Sequence, residues 1–180
     1  MRRLQRRLLV LAMVTASLGF VGGVEASATH GLRLAPVTGQ GDGIVNFTVI
    51  PDTVGFAANI TVNVHDTTPN TTFYISRAPE VGRPLGSDGI CQRANGAWPW
   101  EQPNSIGYPP APAFVQFPRP LAGDLKTLTT DADGSGSAQF AFALTGLADG
   151  TVFDVEFRLA DSLTAPTTDL RTDCVTATVK

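Results

Sequence analysis

The sequence predicts an all-β fold, a two-sheet antiparallel Greek-key sandwich of about seven strands. After position 43, apolar and polar residues alternate with a period of two, as in strands that bury one face. Turn-forming residues separate these segments, and none of them has the 3.6-residue period of an amphipathic helix. A chain of 180 residues is also long enough for one domain with a sizeable core.

The predicted strands of the N-terminal half carry β-branched and aromatic residues, which pack well on a pleated surface. Pro51-Asp52 and Pro69-Asn70 lie between these strands and predict turns. The apolar residues that recur at every second position are Val45, Phe47, Val49, Ile60, Val62, Val64, Phe73 and Ile75.

The C-terminal third repeats the alternation more regularly. A candidate strand at 125–130 leads into the segment Asp131-Ala132-Asp133-Gly134-Ser135-Gly136, which predicts a hairpin turn. Three further strands follow, and their expected core-facing residues are Phe140, Phe142, Leu144, Phe153, Val155, Phe157, Leu159, Val175, Ala177 and Val179.

The first 28 residues have the composition of a secretory signal peptide. Residues 2–7 supply four arginines, residues 8–21 form an apolar core, and Ala26-Ser27-Ala28 offers small residues to signal peptidase. The apolar core is shorter than the ~20 residues of a membrane-spanning helix, which favours a cleaved signal over an uncleaved N-terminal anchor. The sequence therefore predicts a secreted bacterial protein, located in the extracellular medium or in the periplasm and cell envelope.

Charge excludes two classes of partner. Cleavage after Ala28 would leave 152 residues and would remove four of the 13 basic residues and one of the 16 acidic ones. The remaining chain would carry a net charge of −6. Its scattered Lys and Arg form no basic patch for nucleic acid or for an anionic membrane. We expect neither partner, and no membrane insertion after signal cleavage.

Two segments depart from the alternation. Residues 29–43 are rich in glycine and predict a flexible lead-in to a single domain at 44–180. Residues 79–123 contain nine of the 13 prolines, which cannot donate to a sheet ladder, and predict a long insertion rich in proline and aromatic residues. Connections of this length are usually functional or disordered, and the many aromatic side chains favour a packed, functional segment.

The insertion carries the best candidates for ligand binding. Trp98, Trp100 and Tyr108 could form a recognition surface, because flat rings provide a large contact area at a small entropic cost. The alternative is that Trp98 and Trp100 cover the sheet edge or the open end of the core.

Cys91 and Cys174 are the two cysteines, and an oxidising compartment favours a disulfide between them. The bridge would close a loop of roughly 84 residues, worth about 4 to 5 kcal/mol in the chain-entropy description. If Val175, Ala177 and Val179 face the core, Cys174 faces outwards or lies at the start of its strand. The bridge would then fasten the insertion to the outside or rim of the sandwich.

Metal binding has two weak candidates. The segment 131–137 resembles the start of a calcium loop, but position twelve of that loop is Phe142 and not the required Glu. His30 would become N-terminal if cleavage shifted by one residue, and with His65 it could then form a copper brace. We expect a turn at the first site and no metal or other cofactor.

Catalytic residues are not predicted. The chain has no Gly-x-Ser-x-Gly elbow, and its two histidines leave little scope for a Ser-His-Asp arrangement. Glu80, Asp88 and Glu101 lie in or near the insertion and could supply a glycosidase-type carboxylate pair. Acidic residues on loops are usually solvated, so we expect a protein that is not an enzyme.

The predicted strands, the Pro69-Asn70 turn and the turn at 130–136 resemble those of bacterial immunoglobulin-like or fibronectin-type domains. Segments 44–78 and 124–180 are also similar in style to the neocarzinostatin family of secreted chromophore carriers, where a Thr-Ala-Asp-Ala-Asn-Gly-like turn precedes a strand. That family has two disulfides and no insertion of this length. The resemblance implies an immunoglobulin-like architecture and transfers no functional residue, because one sandwich hosts many functions.

These observations favour a secreted, monomeric, non-catalytic binding module for an unknown extracellular ligand, a protein or a glycan, with its recognition surface on the insertion. The alternative is a carrier of a small ligand, with a pocket between the sandwich and the insertion. A copper-binding or hydrolytic enzyme is the third possibility.

Overall fold

The structure, a computed structural model, describes residues 29–52, 55–82, 84–97, 100, 113–117 and 125–180. The predicted signal peptide at 1–28 lies outside these residues. The described part is all-β and contains no helix. Its ten strands are β1 Thr29–Thr38, β2 Asp42–Ile50, β3 Gly55–His65, β4 Thr72–Glu80, β5 Val115–Gln116, β6 Thr127–Thr129, β7 Gly136–Thr145, β8 Val152–Ala160, β9 Asp169–Thr172 and β10 Val175–Thr178.

All ten strands belong to one antiparallel hydrogen-bonded network. Its order is β5-β4-β8-β9-β1-β2-β3-β7, with β10 paired to β8 and β6 paired to β4. β1 joins the two halves, because its first residues pair with β2 and its last residues pair with β9. The network is continuous, so the predicted division into two sheets and the predicted count of about seven strands are not confirmed.

The sheet curls, and its inner face encloses the core. The ring of Phe47 on β2 lies 5.3 Å from that of Phe157 on β8, and Phe56 on β3 lies 5.4 Å from Phe153 on β8. Neither β2 nor β3 is hydrogen-bonded to β8, so these rings meet across the core. The predicted core-facing residues of β2, β3, β4 and β8 are buried, which confirms the strand faces inferred from the alternation. The inward residues of β7 are half-buried.

The predicted flexible lead-in at 29–43 is a strand for most of its length. β1 pairs through Thr29–Leu34 with β2 and continues through Thr38 along β9. Its sequence has only Leu32 and Leu34 as an apolar alternation, so the local pattern is weak. Two neighbouring strands supply its hydrogen bonds, and this tertiary pairing outweighs the low strand propensity of its glycine and proline.

The turn predicted at 131–136 is present, but it does not form a hairpin. Asp131 Oδ1 accepts the backbone N–H groups of Asp133 and Ser135, both at 2.9 Å, and the N–H of Asp131 donates to the carbonyl oxygen of Ser135 at 2.8 Å. The strands on either side have different partners, since β6 pairs with β4 and β7 pairs with β3. The turn therefore carries the chain from one half of the network to the other.

A second turn, at 66–71, packs against this one and closes one end of the molecule. Thr67 donates both its N–H (3.2 Å) and its hydroxyl (2.8 Å) to the carbonyl oxygen of Gly134. Thr130 Oγ1 donates to the carbonyl oxygen of Thr68 at 2.7 Å and accepts the N–H of Thr71 at 3.0 Å. The end of β4 and residues 84–97, which follow it, lie at the opposite end.

Candidate ligand-binding cavity

The disulfide fastens the insertion to the outside of the sheet. Cys91 and Cys174 are bonded, with their Cα atoms 5.5 Å apart, and Cys174 lies directly before β10. Ala78, Cys91 and Ala94 form a small buried cluster, separate from the main core, against which Cys174 also packs. The position that strand parity predicted for the bridge is confirmed.

Two buried carboxylates on the same outer surface hold the insertion. Glu80 on β4 is paired with Asp154 on β8, and their exposed fractions are 1% and 0%. Asp154 accepts the N–H of Gly89 at 2.8 Å and the hydroxyl of Thr176 at 2.6 Å. Glu80 Oε1 accepts the N–H of Arg93. The insertion thus supplies backbone donors to side chains that the bare sheet would expose to solvent.

Burial changes the acidity of this surface. It raises the pKa of Glu80 to about 7; the Arg93 N–H opposes this rise, and the nearby charge of Asp154 adds to it. Burial also raises the pKa of Glu156, on the same face of β8, to about 7 against the opposing charge of Arg171. In both cases removal from water disfavours the ionised carboxylate more than the neighbouring cation or donor stabilises it.

A cavity of about 220 Å³ opens on the other side of β4, towards the core. The sheet contributes apolar side chains to its wall, and the segment from Pro79 to Phe117 contributes Val81, Arg93 and Phe117. It lies at the end of the molecule where the insertion is fastened. Its principal apolar residues from the sheet and the β7–β8 turn are Phe47, Phe56, Phe142, Phe153, Leu144 and Leu147.

Arg77 projects into this cavity from an inward-facing position of β4. It follows Phe73 and Ile75 on the same face of the strand, and it is 4% exposed. Its guanidinium carbon lies 3.9 Å from the ring centroid of Phe117 and 4.3 Å from that of Phe142. Arg77 was not among the predicted site residues. Its strand parity, which places a cation where a hydrophobic residue is expected, is the sequence signal that could have identified it.

Arg93 reaches the same cavity from the insertion and is 8% exposed. One guanidinium nitrogen donates to the carbonyl oxygen of Pro79 at 2.7 Å, and the guanidinium carbon lies 5.2 Å from the ring of Trp100. The hydrogen bond and the cation–π contact fix the direction of this side chain.

Of the three aromatic residues predicted to form a recognition surface, the structure describes Trp100 alone. Trp100 is only 4% exposed, so it presents no open ring to a ligand and instead supports Arg93. Trp98 and Tyr108 lie outside the described residues. In the part of the insertion that the structure describes, the large exposed apolar side chains are Leu85 and Ile90, which are 48% and 59% exposed.

The structure separates the two histidines of the copper hypothesis. His30 is paired with Phe47 and His65 with Asp42, which places them five residues apart along β2, or about 17 Å at the usual rise of a strand. His65 instead contacts Asp42 at 2.8 Å and Asp66 at 3.2 Å. The ligand atoms of these three side chains lie within 4.8 Å of one another, but the group is largely exposed, and exposed acidic groups of this kind are common without a metal.

The carboxylates considered for hydrolysis have structural partners. Glu80 is buried and bonded to the insertion, and Asp88 accepts hydrogen bonds from the N–H of Ile90 and from the amide of Gln92. Glu101 lies outside the described residues. Asp131, the first residue of the calcium-like segment, directs its carboxylate into its own turn.

Within the ranges that the structure describes, no helix is long and apolar enough to cross a membrane. Comparison with known proteins gives no match: no family model, no curated protein and no solved structure is significantly similar to this chain.

Proposed function

We propose that this chain is a secreted, non-catalytic carrier of a small, mainly apolar ligand, which it holds in the cavity between the curled sheet and the insertion. The observation that carries the proposal is an aromatic-lined space of about 220 Å³ beside a segment fastened by a disulfide. The cavity is smaller than most ligand pockets, which usually measure about 300–1,000 Å³. Its volume equals that of roughly seven water molecules, so it suits a small ligand with one or two rings or a short chain.

Secretion and the finer fold are parts of the same proposal. The disulfide is consistent with an oxidising compartment, and the composition of residues 1–28 favours export. The contact of Phe47 with Phe157 and that of Phe56 with Phe153 support an immunoglobulin-like arrangement of two facing layers. The structural hydrogen bonds of Glu80, Asp88 and Asp131 support a non-catalytic role.

The first test uses naphthalene, a neutral probe of suitable size, with isothermal titration calorimetry on the secreted protein. Leu147 lines the cavity from the β7–β8 turn, so Leu147→Trp would fill part of this space, and we expect at least a tenfold loss of affinity. Leu163→Trp makes the same change at the closed end, where Leu163 is exposed, and should bind like the unaltered protein. Native mass spectrometry of the freshly purified protein would identify a ligand that is retained from the host.

Absence of naphthalene binding, or equal binding by the Leu147→Trp and unaltered proteins, would contradict the proposal.

A recognition surface for a protein or glycan is the second candidate, favoured by Leu85 and Ile90. Both are exposed on the fastened insertion, and Leu85 has a φ of 62°, an uncommon conformation for a leucine. Strained residues concentrate at functional sites. A glycan array and pull-downs with Ile90→Ser test it: binding should disappear in that variant while naphthalene affinity stays unchanged. Binding that survives Ile90→Ser would oppose this candidate.

A further inference from the structure

Phenylalanine rings dominate the wall of the cavity. Six of the ten phenylalanines in the chain line it, and they come from four strands and from the residue that follows β5. We propose that the ligand of this cavity is a neutral aromatic compound, which the rings select over a saturated compound of the same skeleton. This inference rests on the proposed carrier function and specifies its ligand class. The lining rings are those of Phe47, Phe56, Phe117, Phe142, Phe153 and Phe157.

Five of these rings form a closed circuit of contacts. Each ring centroid lies between 5.1 and 6.3 Å from the next, which is within the range of about 4.5–7 Å that aromatic pairs prefer. Because all five rings line the cavity, an occupant meets aromatic side chains from both sides of the core. The order around the circuit is Phe117, Phe142, Phe56, Phe47, Phe157 and back to Phe117.

The rings are inclined to one another, so a ligand between them meets both ring edges and ring faces. The planes of Phe117 and Phe142 cross at 80° and those of Phe56 and Phe153 at 82°. An aromatic ring has a negative face and a positive edge, so an aromatic ligand can pair its face with one edge and its edge with another face. Each such pair improves affinity by roughly two- to twelvefold beyond the effect of burial. A saturated ring lacks this charge pattern and gains from burial alone.

The polar groups of the wall favour a neutral ligand. Arg77 donates to the carbonyl oxygen of Gln116, and Arg93 donates to that of Pro79, so each guanidinium has an acceptor within the chain. The lining residues that the structure describes include no Asp or Glu that could pair with a cationic ligand. A charged ligand would lose its hydration among the apolar side chains, and this loss is costly unless a partner compensates for it.

The experiment compares benzyl alcohol with cyclohexylmethanol by isothermal titration calorimetry on the secreted protein. Both probes are neutral and share one carbon skeleton and one hydroxyl group, so they differ only in whether the ring is aromatic. The saturated ring has more hydrogen atoms and more apolar surface, so burial alone predicts that cyclohexylmethanol binds more tightly. We expect the opposite order, with benzyl alcohol bound more tightly by about fivefold or more, because its ring pairs with several phenylalanines.

Phe142 and Phe140 provide a matched pair of variants on β7. Both are half-buried on the same face of the strand and contact the ring of Phe117, at 5.1 and 5.2 Å, but of the two Phe142 alone lines the cavity. Phe142→Leu keeps an apolar side chain and removes one ring, so the preference for benzyl alcohol should fall by about twofold or more. Phe140→Leu should keep the preference. Phe56→Leu removes another ring of the circuit and serves as the second variant if circular dichroism shows that Phe142→Leu does not fold.

Benzyl alcohol that does not bind, or that binds no more tightly than cyclohexylmethanol, would overturn the aromatic assignment. If naphthalene or cyclohexylmethanol still binds in that case, the carrier function stands. A preference of unchanged size in both Phe142→Leu and Phe56→Leu would also overturn the assignment, because the rings of the wall would then not be its source. If none of the three probes binds, the carrier function itself has failed.

Discussion

Glu80 and Asp154 lie opposite each other on β4 and β8, and each carboxylate accepts a backbone N–H group from the insertion. Two acidic side chains on neighbouring strands would repel each other if both were ionised. Their joint burial therefore depends on the donors that the insertion supplies.

The first prediction concerns pH. Glu80 and Glu156 have pKa values raised from the usual 4.5 to about 7 in the folded protein, so the folded state binds more protons than the unfolded state between these values. The free energy of unfolding should therefore be highest near pH 4.5, fall as the pH rises to about 7, and level off above it. Thermal unfolding between pH 4 and 8 measures this slope. Glu80→Gln should reduce it, whereas Asp149→Asn, in an exposed turn, should leave it unchanged.

The second prediction concerns Asp154. Asp154→Asn replaces one carboxylate acceptor by an amide donor, so the N–H of Gly89 or the hydroxyl of Thr176 loses its partner. A buried group left unsatisfied costs about 1–3 kcal/mol. Thr176→Val removes only the hydroxyl and should cost less, about 1 kcal/mol. Urea unfolding compares the two, and an Asp154→Asn protein as stable as the unaltered one would show that the insertion does not depend on this carboxylate.

The third prediction concerns the disulfide. Replacing Cys91 and Cys174 together by serine opens the loop between residues 83 positions apart and should lower the free energy of unfolding by about 2–5 kcal/mol. Arg93 lines the cavity and lies two residues from Cys91, so loss of the disulfide should loosen this part of the cavity wall. Naphthalene affinity should therefore also fall. Denaturant titration and calorimetry measure the two effects. Unchanged affinity in a folded double variant would mean that the carboxylate contacts alone hold the cavity wall.

The fourth prediction concerns the closed end. Gly134 has a φ of 74°, and a Cβ atom there would lie 2.3 Å from the carbonyl oxygen of Thr67. Gly150 has a similar φ of 79°, with nothing within 4 Å of such an atom. Gly150→Ala should cost about 1 kcal/mol from backbone conformation alone. Gly134→Ala should cost clearly more, because the backbone of Thr67 must also move, and thermal unfolding of both variants measures the difference.

The inner face of the sheet could be predicted because it depends on local pattern. Phe47, Ile60 and Phe157 each lie in a run with period two, and burial of one face follows from that period alone. The disulfide and its outer position could be predicted for similar reasons, from the number of cysteines and the parity of the last strand.

The outer face could not be predicted in the same way. Asp154 alternates as a solvent-facing residue should, yet it is completely buried, because a segment some 65 residues earlier in the chain covers it. Arg77 shows the converse. The alternation predicts an apolar residue at its inward position on β4, yet a cation lies there and packs against the rings of Phe117 and Phe142. In both cases the environment comes from residues distant in sequence, which a local pattern does not contain.

The pairing of β1 has a consequence for the order in which the chain acquires its structure. Leu34 is aligned with Gly43 of β2 on one side and with Thr172 of β9 on the other, 138 positions further along. The first strand can form a ladder with β2 as soon as both have been made. Its second ladder waits until almost the whole polypeptide has emerged, and such distant pairings make folding slow. A chain that emerges with its N-terminus first therefore cannot complete the hydrogen bonding of β1 until β9 has emerged.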